Sequence, residues 1–325
     1  MHQYEALSAI TDVLLDDSTG PDRLHEALDH YRDILLSASG IDLGEEDSLG
    51  YLDTGAGVAI GPTWAALCVD DQLRTKRFVS GLHRAISDVA ARRADGPVHV
   101  LYAGTGPFAT LAVPLMTRFT PEELQFTCLE ITDGSYRAVQ QLFSKLGVQD
   151  YIRELIQTDA ATYRIDDTLP VDILLSETMQ YCLREEMQVP IMLNLMAQLP
   201  PDVIMIPERI TLLLASLEDD EGQAVDTELG TIFTLDRGSL RDYRPQRDTT
   251  DFPTVHLTVP VTAADTGPLA IRTLIEVYAG YGLTDYESGL TIPSIIGDCS
   301  CEGDPAYAME FTYQLHPSPG LLVGP

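Results

Sequence analysis

Two periods of hydrophobicity divide this chain. Over residues 1–40 apolar positions recur every three or four residues, the spacing of one helix face. Leu24, Ala27, Leu28, Tyr31, Ile34 and Leu35 fall on one such stripe, and Ser18-Thr19-Gly20-Pro21 breaks it from an earlier helix. This part reads as an accessory helical cap, with a lid or partner surface as the alternative. Residues 40–62 carry six glycines, among them Gly44, Gly50, Gly57 and Gly61, and read as a loop. Residues 64–93 are mostly helical in pattern, with Asp70 or Asp71 placed to cap a helix start and Gly96-Pro97 as the stop. Short apolar runs then alternate with helical stretches. Strands are expected at 98–102, 126–129, 152–158 and 171–175, with helices after the glycine turn at 104–107 and over 136–146. That alternation predicts a doubly wound parallel α/β sheet. From Pro207 onward the pattern changes to strands at 210–216, 230–235, 254–262, 270–278 and 308–315, which predicts an antiparallel β unit. The expected organisation is an N-terminal helical extension and loop (1–62), a Rossmann-like α/β domain (63–206) and a β domain (207–325).

Composition narrows what this frame can do. A length of 325 residues, 45% of them apolar, allows two domains with ample core. The net charge of −30 argues against a nucleic-acid partner, which requires basic patches. It suits a cationic substrate, although solubility or a salt-rich habitat would explain it equally. The five cysteines (Cys68, Cys128, Cys182, Cys299, Cys301) are scattered, and Cys299-Ser300-Cys301 lacks zinc-ligand spacing. No metal is expected, and reduced thiols fit a cytoplasmic protein. No basic–apolar leader and no bilayer-length apolar run are evident, so no membrane partner is expected. Asp219-Asp220-Glu221 reads as a solvated turn.

The candidate chemistry centres on Ser176 to Gln188, at the exit of the 171–175 strand. Glu177 sits at the strand end, where α/β sheets bind ligands, and Glu186 follows nine residues later. Two carboxylates facing one pocket need a cation between them or a shared proton. A guanidinium fits, being planar, charged and rich in N–H donors. The alternative is a pair of surface charges around a helix start. Upstream, Gly104-Thr105-Gly106-Pro107-Phe108-Ala109 fits G-x-G-x-x-A, a turn shared by nicotinamide and S-adenosylmethionine (SAM) folds. Glu130 at the next strand end suits a ribose diol, or is a plain strand-end charge. SAM is favoured over a nicotinamide because Arg74 offers a partner for an amino-acid carboxylate and Asp159-Ala160 could accept from an adenine amino group. The continuation into a β unit, in place of a second nucleotide-binding half, points the same way. Arg74 in a surface ion pair and Asp159 as a helix cap remain open, as does Met179 as core packing in place of a contact with substrate or cofactor.

Together these segments resemble the protein arginine methyltransferases over roughly residues 64–215. Asp71 to Thr75 is similar to the family's helix that carries the SAM-carboxylate arginine, Gly104 and Gly106 to its first glycine motif, and Glu130 to its ribose-binding acid. Ser176-Glu177-x-Met179 with Glu186 resembles its double-glutamate loop, and 207–212 the first strand of its β barrel. The chain departs from the pattern at Tyr102, where an acid is usual, and at Gln180, where a glycine is usual. It also lacks the Thr-His-Trp loop, with Gly289-Leu290-Thr291-Ile292-Pro293 in about that place, and the aromatic N-terminal motif that covers SAM. The resemblance implies a SAM-dependent enzyme in which Glu177 and Glu186 clamp a guanidinium, Met179 packs on it, and a glutamate or a relay through Asp71 takes the proton. The missing parts shift the expected acceptor toward free L-arginine, as in natural-product pathways, giving Nω-methyl-L-arginine. A peptide acceptor and a catalytically silent SAM-binding scaffold are the alternatives. The family implies a homodimer, with 218–247 as a shortened arm or a loop.

Overall fold

The computed structural model describes residues 2–44, 50–54, 57–93, 95–217, 225–244, 251–260, 268–298 and 306–324. The chain opens with α1 (His2–Leu15) and α2 (Pro21–Ser39), the latter started by Pro21 and ended by Gly40 in a left-handed cap. Their apolar stripes are buried: Leu14, Tyr31 and Leu35 are fully enclosed. Tyr31 donates to the Thr110 carbonyl at 2.8 Å, and the Lys76 ammonium donates to the Asp16 carbonyl at 2.6 Å, closing the end of α1. The pair is therefore part of the core that holds the central helix and the segment after the glycine turn.

Residues 40–62 depart from the expected loop. They form a hairpin, β1 (Tyr51–Asp53) with β2 (Val58–Ile60), followed by α3 (Pro62–Leu67). The glycines mask it because the strands are only three residues long and lack a visible alternation. A single 3-10 turn leads to α4 (Gln72–Ala90), whose N-cap is Asp71, accepting from the Arg74 backbone N–H.

The central sheet has β3 (Val98–Ala103), β4 (Leu124–Glu130), β5 (Ile152–Gln157), β6 (Ile173–Ser176) and β7 (Ile204–Ile206), all parallel in the order β5-β4-β3-β6-β7. β3 and β6 are buried throughout, which is why they read as mostly apolar runs, His99 being the polar exception within β3. α5 (Asp133–Leu146) connects β4 to β5 and α6 (Gln188–Met196) lies between β6 and β7. The helix expected after the glycine turn is absent. Residues 107–112 form successive turns, and Val113–Thr117 is a 3-10 helix. Ala109 has φ +46°, and Pro114 has no N–H to give an α-helical ladder.

The parallel sheet ends at Ile206 and antiparallel pairing begins at Arg209. β8 (Arg209–Leu217), β9 (Val225–Asp236), α7 (Arg237–Asp242), β10 (Val255–Pro260), β11 (Pro268–Tyr278), β12 (Tyr281–Leu283), β13 (Ser294–Asp298), β14 (Ala306–Gln314) and β15 (Gly320–Gly324) follow. They make two sheets, β12-β11-β8-β9 with β13 beside β11, and β10-β14-β15. Phe233 of β9 stacks on Tyr313 of β14 at 4.4 Å and meets Phe252 edge-on at 4.9 Å, so aromatic rings join the two sheets. The fold is thus a Rossmann-like parallel sheet with N-terminal helices and a following antiparallel β part. Asp219-Asp220-Glu221 and Cys299-Ser300-Cys301 lie outside the described residues, and the segment 218–247, apart from 218–224 and 245–247, which also lie outside them, is largely β9 and α7. Among the described residues no helix is long and apolar enough to cross a membrane.

Candidate active site

A cavity of about 360 Å3 opens at the C-terminal ends of β3, β4 and β6, the usual ligand position in a doubly wound sheet. One half is walled by the glycine turn, Glu130, Ser135 and Asp159-Ala160, and the other by Arg74, Glu177, Met179 and Glu186. Nine of the sequence-predicted site residues therefore share one space.

In the first half the turn is held by β4. Gly104 donates its N–H to the Leu129 carbonyl at 2.9 Å, and Gly106 donates to Glu130 Oε2 at 2.9 Å. Both glycines have positive φ, and a Cβ on Gly104 would collide with the Thr178 side chain. Glu130 Oε1 accepts from the Thr132 N–H and hydroxyl, each at 2.9 Å. Burial raises the Glu130 pKa even against these donors. Asp159 Oδ1 accepts from the Ala161 N–H at 2.8 Å, so this residue caps its own turn while facing the cavity. Tyr102 lies in the wall at the place of the usual acid, and burial keeps its hydroxyl protonated.

In the second half Arg74 is ion-paired with Glu177, both nearly enclosed at 13% and 9% side-chain exposure. Burial opposes the Arg74 charge, but Glu177 beside it outweighs that and raises its pKa. Burial raises the Glu177 pKa, with Arg74 opposing. Glu177 Oε1 is buried with no hydrogen-bond partner. The Glu186 carboxyl is pushed up to about 7, first by burial and then by Glu177. Cys68 lies in the same wall, and burial together with the two glutamates pushes its thiol up, so it is no thiolate nucleophile. Met179 is buried in the core and lines the cavity wall. Asp71 is different: it is not in the cavity wall. Its Oδ2 accepts from Ser288 Oγ at 2.6 Å and the Gly289 N–H at 3.0 Å, while Oδ1 caps α4. These contacts give it a part in positioning the start of α4.

Three features of the site escaped sequence reasoning. Gln188, buried at the start of α6, accepts from the Thr178 N–H and hydroxyl at 3.0 Å and donates to the Ser176 carbonyl at 3.1 Å, closing the base of the 177–187 loop. A polar residue opening a mostly apolar helix was the available signal. Ser288 and Thr291 cap the 3-10 turn Gly289–Thr291 reciprocally, a local pattern that marks a rigid turn. Thr105 Oγ1 and Ser135 Oγ are buried without partners, and both residues line the cavity, as does Glu177. Buried polar atoms of this kind are rare, and three on one cavity point to a ligand that satisfies them.

The hairpin closes one side. Val58 donates to the Glu185 carbonyl at 2.9 Å and bridges to Glu186, and Thr54, Val58 and Ile60 line the cavity. Gly57, at φ +148°, makes the approach possible. A Cβ there would lie 2.5 Å from Met187 Sδ and 2.7 Å from the Glu185 carbonyl. Gly57→Ala is expected to cost about 1–3 kcal/mol of stability. It should also speed hydrogen exchange at the Val58 amide while β3 and β4 amides keep their protection. Unchanged exchange at Val58 would show that the hairpin and the loop are not coupled there.

No known family profile matches the chain, and no curated protein matches it. Among solved structures it is similar to the Trypanosoma brucei PRMT1 enzyme–prozyme heterotetrameric complex with AdoHcy, at 14% identity over 76% of this chain and 86% of that one, with a TM-score of 0.49.

Proposed function

We propose that this chain is a SAM-dependent N-methyltransferase acting on a terminal guanidino nitrogen, with free L-arginine as the acceptor and Nω-methyl-L-arginine as the product. The observation that carries the reading is the acidic half of the cavity. Glu186 has a pKa near 7 beside Glu177, whose Oε1 is buried and unpartnered. Arg74 answers only one oxygen of Glu177, and a second guanidinium, with its fixed fork of N–H donors and its charge, would satisfy Glu177 Oε1 and pair with Glu186.

The other half fits SAM by its chemistry. Glu130 offers carboxylate oxygens for a ribose diol, Thr105 and Ser135 offer unsatisfied hydroxyls, and Asp159-Ala160 faces the same space. Arg74 has donors beyond the one given to Glu177, and would hold the carboxylate. When bound, SAM supplies a methyl group on a positively charged sulfur, open to in-line displacement by a nitrogen nucleophile. Glu177 and Glu186 orient the guanidinium and draw its charge toward the nitrogens they bond. Glu186, with its pKa near 7, accepts the proton released from the attacking nitrogen. Asp71 and Ser288 fix the start of α4 and so the position of Arg74. The small acceptor is favoured because the 288–291 turn contributes only Gly289 and Leu290 to the cavity wall, no side chain that would grip a peptide. Cytoplasmic location and a homodimer complete the reading.

The test is mass spectrometry of the purified protein with SAM, offered L-arginine in one tube and an arginine-rich peptide in another, with SAM binding measured by calorimetry. Methylarginine in the first tube alone is expected. Product only in the second assigns a peptide acceptor. SAM binding with neither product assigns a silent scaffold, and absence of SAM binding removes the methyltransferase reading.

A further inference from the structure

We infer that Arg184 is the specificity residue of the acceptor site, holding the carboxylate of a guanidino acid whose guanidinium lies between Glu177 and Glu186. The inference rests on the guanidino reading above.

Arg184 belongs to the loop that carries both glutamates. It is exposed, donates to the Tyr181 hydroxyl at 3.0 Å, and lies over the Tyr181 ring, 5.4 Å from the centroid. Tyr181 in turn lines the cavity and is 37% exposed, which puts the Tyr181–Arg184 pair at its mouth. The placement is built by the backbone. Cys182, Leu183 and Glu185 all have φ between +51° and +58°, a region costly for residues other than glycine. Each is fixed from outside the loop. The Cys182 N–H donates to Thr273 Oγ1 at 3.1 Å, the Leu183 carbonyl accepts from the Tyr313 hydroxyl at 2.7 Å, and the Glu185 N–H donates to the Pro319 carbonyl at 2.8 Å. The chain on both sides of Arg184 is thus held by the β sheets.

The place of this charge is what makes it informative. Among the described residues ten arginines sit in ion pairs, while Arg184, like Arg77, Arg92, Arg153, Arg164, Arg237 and Arg244, does not. Among the described residues Arg184 has no carboxylate within ion-pair distance, its guanidinium being held by a phenol alone. A cation at the mouth of a pocket built for a cation repels a purely cationic acceptor. It complements a zwitterionic one, with the guanidinium inside and the carboxylate at the rim, where the Arg fork matches carboxylate geometry. An arginine within a peptide has amides in place of that carboxylate and gains nothing from Arg184.

The experiment compares L-arginine with agmatine, the same guanidino chain without the carboxylate, by initial rates in the wild type, Arg184→Gln and Arg184→Lys. The wild type is expected to prefer L-arginine. Arg184→Gln should lower the ratio of kcat/KM for L-arginine over agmatine by about 10- to 100-fold, the loss lying in KM for L-arginine. Arg184→Lys should restore part of it, because a point charge without the fork remains. Tyr181→Phe, which removes the hydroxyl that holds Arg184, should lower the ratio by a smaller factor. An unchanged ratio in Arg184→Gln, with both compounds turned over, overturns Arg184 and leaves the guanidino reading standing. Turnover of neither compound by the wild type overturns the free-arginine acceptor and this inference with it.

Discussion

Glu186→Gln is expected to lower turnover at pH 8 by about 100-fold or more, the usual contribution of a positioned acid–base group, while SAM affinity changes little. Glu186 lines the cavity beside Glu177, and on the proposed reading it faces the acceptor, so the loss should appear with the acceptor alone. The pH profile adds a second readout. In the wild type kcat/KM for the acceptor should rise with pH through about 7, as the Glu186 carboxyl ionises. The variant should lack that limb. Stability moves the opposite way. The folded chain holds the Glu186 proton up to about 7, against an ordinary value of 4.5 in the unfolded chain. Between those values the folded state binds the extra proton. The stabilisation from this group is therefore complete below about 4.5 and lost as pH rises through 7. Glu186→Gln should be more stable than the wild type at pH 8, by at most about 3 kcal/mol, and show no gain near pH 4. Thermal unfolding at both pH values checks this. Comparable turnover in the variant would remove Glu186 from the chemistry.

Arg74→Leu is expected to be the most damaging single change. Arg74 and Glu177 are buried against each other, and removal of the cation strands the carboxylate. Breaking a buried pair from one side typically costs about 3–5 kcal/mol. The cost should shrink in acid, because burial already raises the Glu177 pKa and an unpartnered Glu177 takes a proton more readily. Arg74→Leu with Glu177→Leu should recover most of the stability, since two apolar side chains replace two desolvated charges. Denaturant unfolding of the single and double variants measures this. Equal stability in both would show that Arg74 acts through packing alone. If Arg74 holds the SAM carboxylate as proposed, both variants should lose SAM affinity.

Local pattern determined a good part of this protein. Short, largely apolar runs at 98–102, 126–129 and 171–175 read as strands, the last as a buried one, because a sheet covered on both faces hides successive apolar side chains; β3, β4 and β6 lie there. Asp70 or Asp71 read as a cap because a short acidic side chain before a helical stripe satisfies free N–H groups, and Asp71 is the cap. Glu177 at the exit of a strand, with Glu186 nine residues on, was legible from the apolar run before it. Where several signals coincided or failed, pattern was silent. Residues 108–116 are apolar almost throughout, so their periodicity could not tell the observed turns from a helix. Strands three residues long, as in the 51–60 hairpin, carry too few positions to alternate.

Only the tertiary structure decided what the candidate residues touch. Arg74 meets Glu177 across 103 residues, Asp71 meets Ser288 across 217, and Val58 meets Glu185 across the cavity mouth. Such pairs are chosen by how packed layers bring distant loops to one sheet edge, and nothing in the local sequence of either partner encodes the other. The raised Glu186 pKa has the same origin, since it comes from burial by a hairpin, a loop and a helix that the chain gathers from three separate stretches.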